Sequence, residues 1–502
     1  MKKSSSMQAK TQYANEAMTW RLAPFILLGL VGAYSLLTIH VLVSGQTTDA
    51  ITYAVLALWF VVLATIYLAK RGHQGTSLCS IPAILTIIGL VEFIGVPTWR
   101  FINGDERMDD DYVRALSIVL VAYVAFWIGS WAFMRDGRLR FAPEAATTPA
   151  RTVLAAVCML TVGGIASVIE WQLGIYAYMR DTQLESMVAY AQWLDSGAQL
   201  LGGALLISGI EVLGRNKSTV IIRLIFCLSL GLMLGFGAIS GMKIDLLKPF
   251  LLVIVIYALT RGRIPRMSWL LIPFLILVVY PFATSYRENL NKGYRAQANT
   301  LNGLEATVSK SFSDAFGGSL TDKKTVSTNV DSSTARLSLL SFVRDLISMG
   351  NTSLLQGDEK VYLAPLYPLI PRFLWKDKPE LDKGRRLSVA LGHPITSSSA
   401  ITPIGDLYSL YGWLGVVIGM FLYGITAQLF MNKLGTSLSE KGVFFLLAVL
   451  PVLTNMERDV TASIAASVHS CLIFLLMAYV VYGGRLFSLR SSRVAGPEVL
   501  AA

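Results

Sequence analysis

The sequence predicts an all-α polytopic membrane protein. Apolar residues fill 54% of its 502 positions and charged residues only 15%, where an ordinary soluble domain carries about 25% charged residues. Mean hydropathy is +0.56. Apolar runs of about 20 residues, the length of helix that crosses a bilayer, recur along most of the chain. These observations exclude a soluble enzyme, a secreted disulfide scaffold and a disordered chain.

The apolar runs define twelve expected spans, near 22–43, 50–69, 79–97, 113–134, 152–175, 196–214, 220–240, 244–260, 267–286, 404–432, 441–456 and 467–484. With the N-terminus inside, 20 Lys and Arg fall on the inner side and seven on the short outer connections and adjoining helix ends. That asymmetry places both termini in the cytoplasm, because basic residues are retained on the inner side. The expected organisation is an inner tail at 1–21, nine helices over 22–286, a long outer loop at 287–403, three helices over 404–484 and an inner tail at 485–502. The first apolar run is long enough to span and stay, so no removable signal peptide is expected.

The formal charge of +11 does not signal nucleic acid, since the cations sit in gaps between apolar runs and orient helices. Cys79, Cys158, Cys227 and Cys471 lie far apart in or beside apolar runs, which reads as packing and implies neither disulfide nor metal. No metal-ligand spacing, Walker A or G-x-S-x-G motif is present, so no cofactor is expected. Glu92, Glu170 and Glu211 fall near span ends, where an interfacial position accounts for them.

The loop of 117 residues is where chemistry is expected, because connections of such length are usually functional. It holds fifteen basic and eleven acidic residues. Arg287 directly follows an apolar run, so it is either an interfacial anchor or a guanidinium fork for a lipid phosphate. In RLSLLSFVRDLISMG, Leu339, Leu340, Val343 and Ile347 form one helical stripe. At helical spacing Arg336 shares that apolar face, where it needs a partner such as an anionic headgroup or Asp345; Arg344 lies in the same segment. In YPLIPRFLWKDKPELDKGRR, three prolines favour an extended path that displays Arg372, Lys376, Lys378, Arg385 and Arg386 beside Trp375. An aromatic ring among cations suits a sugar–phosphate ligand, whereas a cationic loop resting on anionic lipid is the plainer reading.

Outside the loop, GAISGMKIDLLKPF joins two spans by a tight outer turn. Lys243, Asp245 and Lys248 then lie at membrane depth, where ionisable groups face polar cavities. In SSSAITPIGDLYSLYGWLG, Asp406 is either a cap at the start of span ten or a general base, and Tyr408 follows it. Gly412, Gly415, Gly419 and Gly424 read as sites of close helix packing. His393 stands alone, with no ligand cluster around it.

The order GMKIDLLKP, Tyr286–Arg287, RLSLL, YPLIPRFLWKDKP and SSSAITPIGDLYSLYGWLG, over about residues 230–430, resembles the O-antigen polymerases, the Wzy-type oligosaccharide repeat-unit polymerases. Arg372 and Gly384 enclose eleven residues, one more than the arginine-to-glycine pattern of some members. The resemblance implies about twelve transmembrane helices in the bacterial inner membrane and a large periplasmic loop containing short amphipathic helices. It implies a metal-independent glycosyltransferase that joins undecaprenyl-pyrophosphate-linked glycans into O-antigen, capsule or exopolysaccharide. Arg287, Arg336 and Arg372 match the arginines thought to hold lipid pyrophosphate, and Asp406 is an optional base. Lys243, Arg344, Trp375, Lys378, Arg385 and Tyr408 complete the expected substrate site. A chain-length regulator and a flippase of the same pathway are the expected partners besides lipid. An O-antigen ligase, a lipid-linked oligosaccharide transporter and a membrane adaptor are the competing readings.

Overall fold

The computed structural model describes residues 29–39, 41–42, 47–73, 80–134, 140–141, 149–176, 185–214, 218–261, 274, 278–291, 300–316, 337–350, 360–370, 374–375, 377–379, 381–392, 399–434, 437–438, 446, 453 and 455–482. Helices dominate them. A short apolar helix, α1 (Gly29–Ile39), precedes α2 (Thr48–His73). Then come α3 (Ile81–Ile102), α4 (Asp110–Ala132), α5 (Pro149–Gln172) and α6 (Glu185–Gly209). The tight pair α7 (Val220–Ile239) and α8 (Lys243–Arg261) follows. The loop region contributes α9 (Tyr280–Asn291), α10 (Leu301–Phe316), α11 (Leu339–Ser348) and α12 (Lys383–Ala390). The chain continues into α13 (Pro403–Leu434) and α14 (Val460–Tyr482).

Eight helices among the described residues are long and apolar enough to cross a membrane, those of α2, α3, α4, α5, α6 with its π turn, α7, α13 and α14. The protein is therefore a helical membrane protein. They correspond to eight of the twelve expected spans. Of the others, 22–43 is represented by α1 and 244–260 by α8, while 267–286 and 441–456 lie largely outside the described residues. Side chains such as Leu224 and Leu228, 57% and 56% exposed on α7, mark faces turned to lipid.

Three boundaries differ from the expected ones. The third expected span does not stop at 97 but runs to Ile102 through a π segment, Leu90–Gly95. Glu92 thus lies within the helix rather than at its end. α13 is broken at Gly412, whose φ of 62° is open to glycine at little cost. Gly412 is a hinge and not a packing site, since a Cβ there would meet nothing. The final span begins at Val460, where Asp459 caps it by accepting the Ala462 N–H at 2.8 Å.

The core centres on α2, α3, α4 and α13. Gly129 of α4 and Gly424 of α13 let the two backbones touch: a Cβ on either would overlap a carbonyl oxygen, that of Phe421 or Phe126. Small residues permit such an approach inside a membrane, where close packing drives helix association. The two helices run parallel, and just past their ends Arg140–Phe141 pairs in parallel with Ser437–Leu438. Phe60, Phe93, Tyr123, Phe126 and Trp127 fill the space beside them, with Phe60 and Tyr123 edge-to-face at 5.0 Å. Their polar tips are satisfied internally, Tyr123 donating to Leu85 O at 3.1 Å and Trp127 to Thr86 Oγ1 at 3.0 Å.

Arg71, one of the 20 basic residues expected on the inner side, is 1% exposed. Its guanidinium donates to Tyr67 Oη at 2.7 Å, Ser80 Oγ at 3.1 Å and Gln428 Oε1, tying α2 and α13 to the start of α3. At the other end of the core, α11 docks through Leu339, Leu340 and Val343, all buried, as its stripe predicts. Arg336, which helical spacing sets on the same face, lies outside the described residues.

Candidate functional site

At the end of the bundle that carries the loop segments, two groups of polar residues stand apart. The first is a structural lock around Glu106. Its carboxylate accepts from Arg100 Nε at 2.7 Å, Tyr112 Oη at 2.5 Å and Ser341 Oγ at 3.1 Å, joining the α3–α4 turn to α11. Arg344 belongs here. It donates to Asp345 Oδ1 through Nε at 3.0 Å and Nη2 at 2.5 Å, and lies 4.7 Å over the Tyr112 ring. Burial works against its charge, but the Asp345 hydrogen bond and the neighbouring groups outweigh it and hold the guanidinium above its ordinary value.

The lock continues to α12 and α13. Lys383 Nζ meets Asp406 Oδ1 at 2.8 Å, with side chains 5% and 1% exposed. Asp406 Oδ2 accepts the Val460 N–H at 2.9 Å. Both oxygens are engaged, and the helix end that Asp406 satisfies is that of α14 rather than its own. Asp382, the residue before α12, holds Arg385 Nη2 at 2.7 Å and Arg386 Nε at 3.2 Å. Tyr408 packs with Leu346, Leu387 and Ile401, its ring edge-on to Trp413. Arg344, Asp406 and Tyr408 therefore help hold the loop helices on the bundle, while Arg385 pairs with Asp382 at the start of α12.

The second group surrounds the loop-side ends of α5, α6, α8 and α14. Gly241, at φ 67°, turns the chain between α7 and α8, and Arg287 of α9 donates its Nε–H to the Gly241 carbonyl at 2.5 Å. Gly237 lets α7 lie against the backbone of Asp245, so α9, α7 and α8 meet at one point. Ser240, Lys248, Arg458 and Asp195 lie within electrostatic reach of Asp245. Asp195 is also within electrostatic reach of Tyr176, which senses Asp245 and Glu170 too, and of His469. Ser196 Oγ and His469 Nε2 are 2.8 Å apart, a hydrogen bond between α6 and α14. Lys378 is within electrostatic reach of the same imidazole and donates to Ile370 O at 3.0 Å. Trp375 packs with Tyr367, Ile464 and Ala465 on α14, and Ala465 lies one helical turn before His469 on the same face.

Of the expected site residues, Arg287, Lys378 and Trp375 fall in this group, joined by Asp245, Lys248 and Arg458. Lys243 opens α8, its side chain lying outside the described residues, as do Arg336, Arg372 and His393. Sequence reading missed Tyr176, Asp195, Ser196 and His469. The signal was available for two of them: His469 interrupts an apolar run and Asp195 opens one, and ionisable groups at such positions are functional candidates by default.

Electrostatically, Lys248 and Arg458 lie within reach of Asp245, while Arg287 at Gly241 and Lys378 near His469 bring further cations to the loop-side helix ends. Anionic groups of a ligand can be held at the membrane boundary by such cations, while the Trp375 ring offers a face to an uncharged ring. No group of three or more His, Cys, Asp or Glu suited to a metal occurs among the described residues. A groove of about 730 Å³ between α2, α4 and α13 is lined by apolar side chains such as Trp59, Leu120 and Phe421. It opens toward lipid and touches neither polar group.

No curated protein and no solved structure matches the chain. The model of a family described as a domain of unknown function, DUF8712, matches residues 157–440, from within α5 to just beyond α13. That stretch contains Tyr176, Asp195, Ser196, Asp245, Lys248, Arg287 and Lys378. Since it is more than half of the 502 residues, the chain belongs to the DUF8712 family.

Proposed function

We propose that the protein polymerises polyprenyl-pyrophosphate-linked oligosaccharide repeat units into a surface polysaccharide, acting at the periplasmic face of the bacterial inner membrane. In this reading the chain has twelve spans and both termini in the cytoplasm. The observation that carries it is the gathering of Lys248, Arg287, Arg458 and Lys378 at the loop-side ends of apolar helices, with Trp375 nearby. A hydroxyl of one repeat unit attacks the anomeric carbon of the other, and polyprenyl pyrophosphate leaves. Pyrophosphate is already a good leaving group, so cations that meet its developing charge and fix the line of attack supply much of the catalysis. Arg336 and Arg372 join that set in this proposal, and Lys243 stands at the same helix end as Lys248. A chain-length regulator and a flippase are the partners it calls for.

One observation favours a second reading. Glu92 sits inside α3 on a π segment, and intramembrane carboxyls and π turns both mark transport pathways and other functional sites. The two readings separate on a gel of surface polysaccharide from a strain lacking the protein. A ladder that collapses to a single repeat on its carrier supports polymerisation. Complete chains left on the lipid carrier indicate a ligase instead, absence of external glycan indicates transport, and an unchanged ladder refutes all three.

A further inference from the structure

The Ser196–His469 pair plays no part in holding the pyrophosphate, yet it lies among the groups that would. An interhelical hydrogen bond can be packing alone. Three features of its surroundings point further. Both side chains are only half-buried, so the pair is not sealed between α6 and α14. Trp375 and Tyr367 lie one turn nearer the loop segments on the same face of α14, at Ala465. Lys378 lies within electrostatic reach of the imidazole, so a cation able to meet an anionic ligand belongs to the same neighbourhood as a proton acceptor.

We propose that Ser196 and His469 form the relay that removes the proton from the attacking hydroxyl, an inference that rests on the glycosyl-transfer reading above. The acceptor oxygen forms its bond to the anomeric carbon as the bond from that carbon to the pyrophosphate oxygen breaks. The electron pair of the broken bond leaves with the pyrophosphate. The acceptor's proton passes to Ser196 Oγ while the serine's own proton passes to His469 Nε2, and the imidazolium then releases it to water. Ser196 is the residue that touches substrate; His469 acts through it. The relay needs a neutral imidazole, so the rate falls as pH falls and His469 becomes charged. The charged groups within electrostatic reach of it are Asp195 on α6 and Lys378 from the loop. Asp406 of α13 reaches the first turn of its helix, and Glu170 at the end of α5 shares the Asp195 neighbourhood through Tyr176.

The test uses membranes of the host strain, whose own lipid-linked repeat units are the substrate, with polymer followed on gels from about pH 5 to about pH 9. His469→Gln should lower the rate about 100-fold at unchanged protein level and abolish the acid-side decline. Ser196→Ala, which deletes one hydroxyl, should lower the rate at least about 10-fold, and Ser196→Thr should restore most of it. Retention of the acid-side decline in His469→Gln overturns the relay whatever the residual rate. Should His469→Gln fail to accumulate, a wild-type rate in Ser196→Ala overturns it equally. If the wild-type membranes form no polymer dependent on this protein, the glycosyl-transfer reading falls and the relay with it; if they do and His469→Gln keeps the acid-side decline, only the relay falls.

Discussion

Asp406 offers the sharpest test of whether a buried carboxylate here serves structure or chemistry. Its Oδ1 meets Lys383 at 2.8 Å and its Oδ2 holds the Val460 N–H at 2.9 Å, with both charged side chains nearly sealed from solvent. Asn at 406 keeps an acceptor for Val460 but strands the Lys383 ammonium. Breaking a buried pair from one side costs about 3–5 kcal/mol, because the remaining charge is left uncompensated. Ala at 406 also removes the acceptor at the α14 N-terminus, adding about 1 kcal/mol. Replacing both partners, Lys383→Met with Asp406→Leu, removes the stranded charge and should recover most of the loss, leaving chiefly the cap term. The assay is the fraction of detergent-solubilised protein that stays monodisperse after heating, read beside polymer formation in cells. The expected order of stability is wild type, then the double variant, then Asp406→Asn, then Asp406→Ala, with activity following stability. An Asp406→Asn protein that melts with the wild type yet makes no polymer would refute this reasoning and return Asp406 to the role of base.

Two further outcomes follow from packing. Gly424→Leu should prevent accumulation of folded protein, because its side chain would enter the Phe126 carbonyl on α4, whereas Gly231→Ala on α7, where a Cβ meets nothing, should accumulate normally; membrane protein levels decide this. Arg71→Lys should lower thermal stability nearly as much as Arg71→Ala, since one ammonium cannot reproduce the fork that reaches Tyr67, Ser80 and Gln428 together, and a Lys variant melting with the wild type would disprove it.

How far the sequence carried this picture depends on the range of the interaction. Hydropathy is local, so each of the eight helices long enough to cross a membrane was legible as an apolar run, though α3 and α14 extend beyond their expected ends, to Ile102 and back to Val460; the buried stripe of Leu339, Leu340 and Val343 was legible too. Helix interruptions were less so. The π segment at Leu90–Gly95 leaves no mark on hydropathy, and its omission put Glu92 at a helix end instead of inside one. Gly412 and Gly424 look alike in sequence, but one is a hinge with positive φ and the other a backbone contact, a difference set by what faces each. Long-range polar pairing was not legible at all. Nothing near Arg344 or Asp406 in the chain announces Tyr112 or Val460, and nothing near Ser196 announces a histidine more than 270 positions away.

The same pairings explain why the two polar groups at the loop-side end have different chemistry to offer. Around Glu106 and Asp406, charges are matched at hydrogen-bond distance and largely buried, and they join helices of the close-packed core to the loop helices. In the second group the charged residues come from the ends of separate helices and the loop, Lys248 on α8 and Arg458 before α14 within reach of Asp245, and Asp195 on α6 and Lys378 from the loop within reach of His469. The two groups are mechanically joined by Asp406, which fixes the first turn of α14 to the kinked helix nine residues before His469. The core thereby sets the position of the helix that carries the proposed proton acceptor. Reactive geometry of this kind must be held by elements that do not themselves react, and a buried ion pair anchored beside the Gly412 hinge meets that requirement without contacting the ligand.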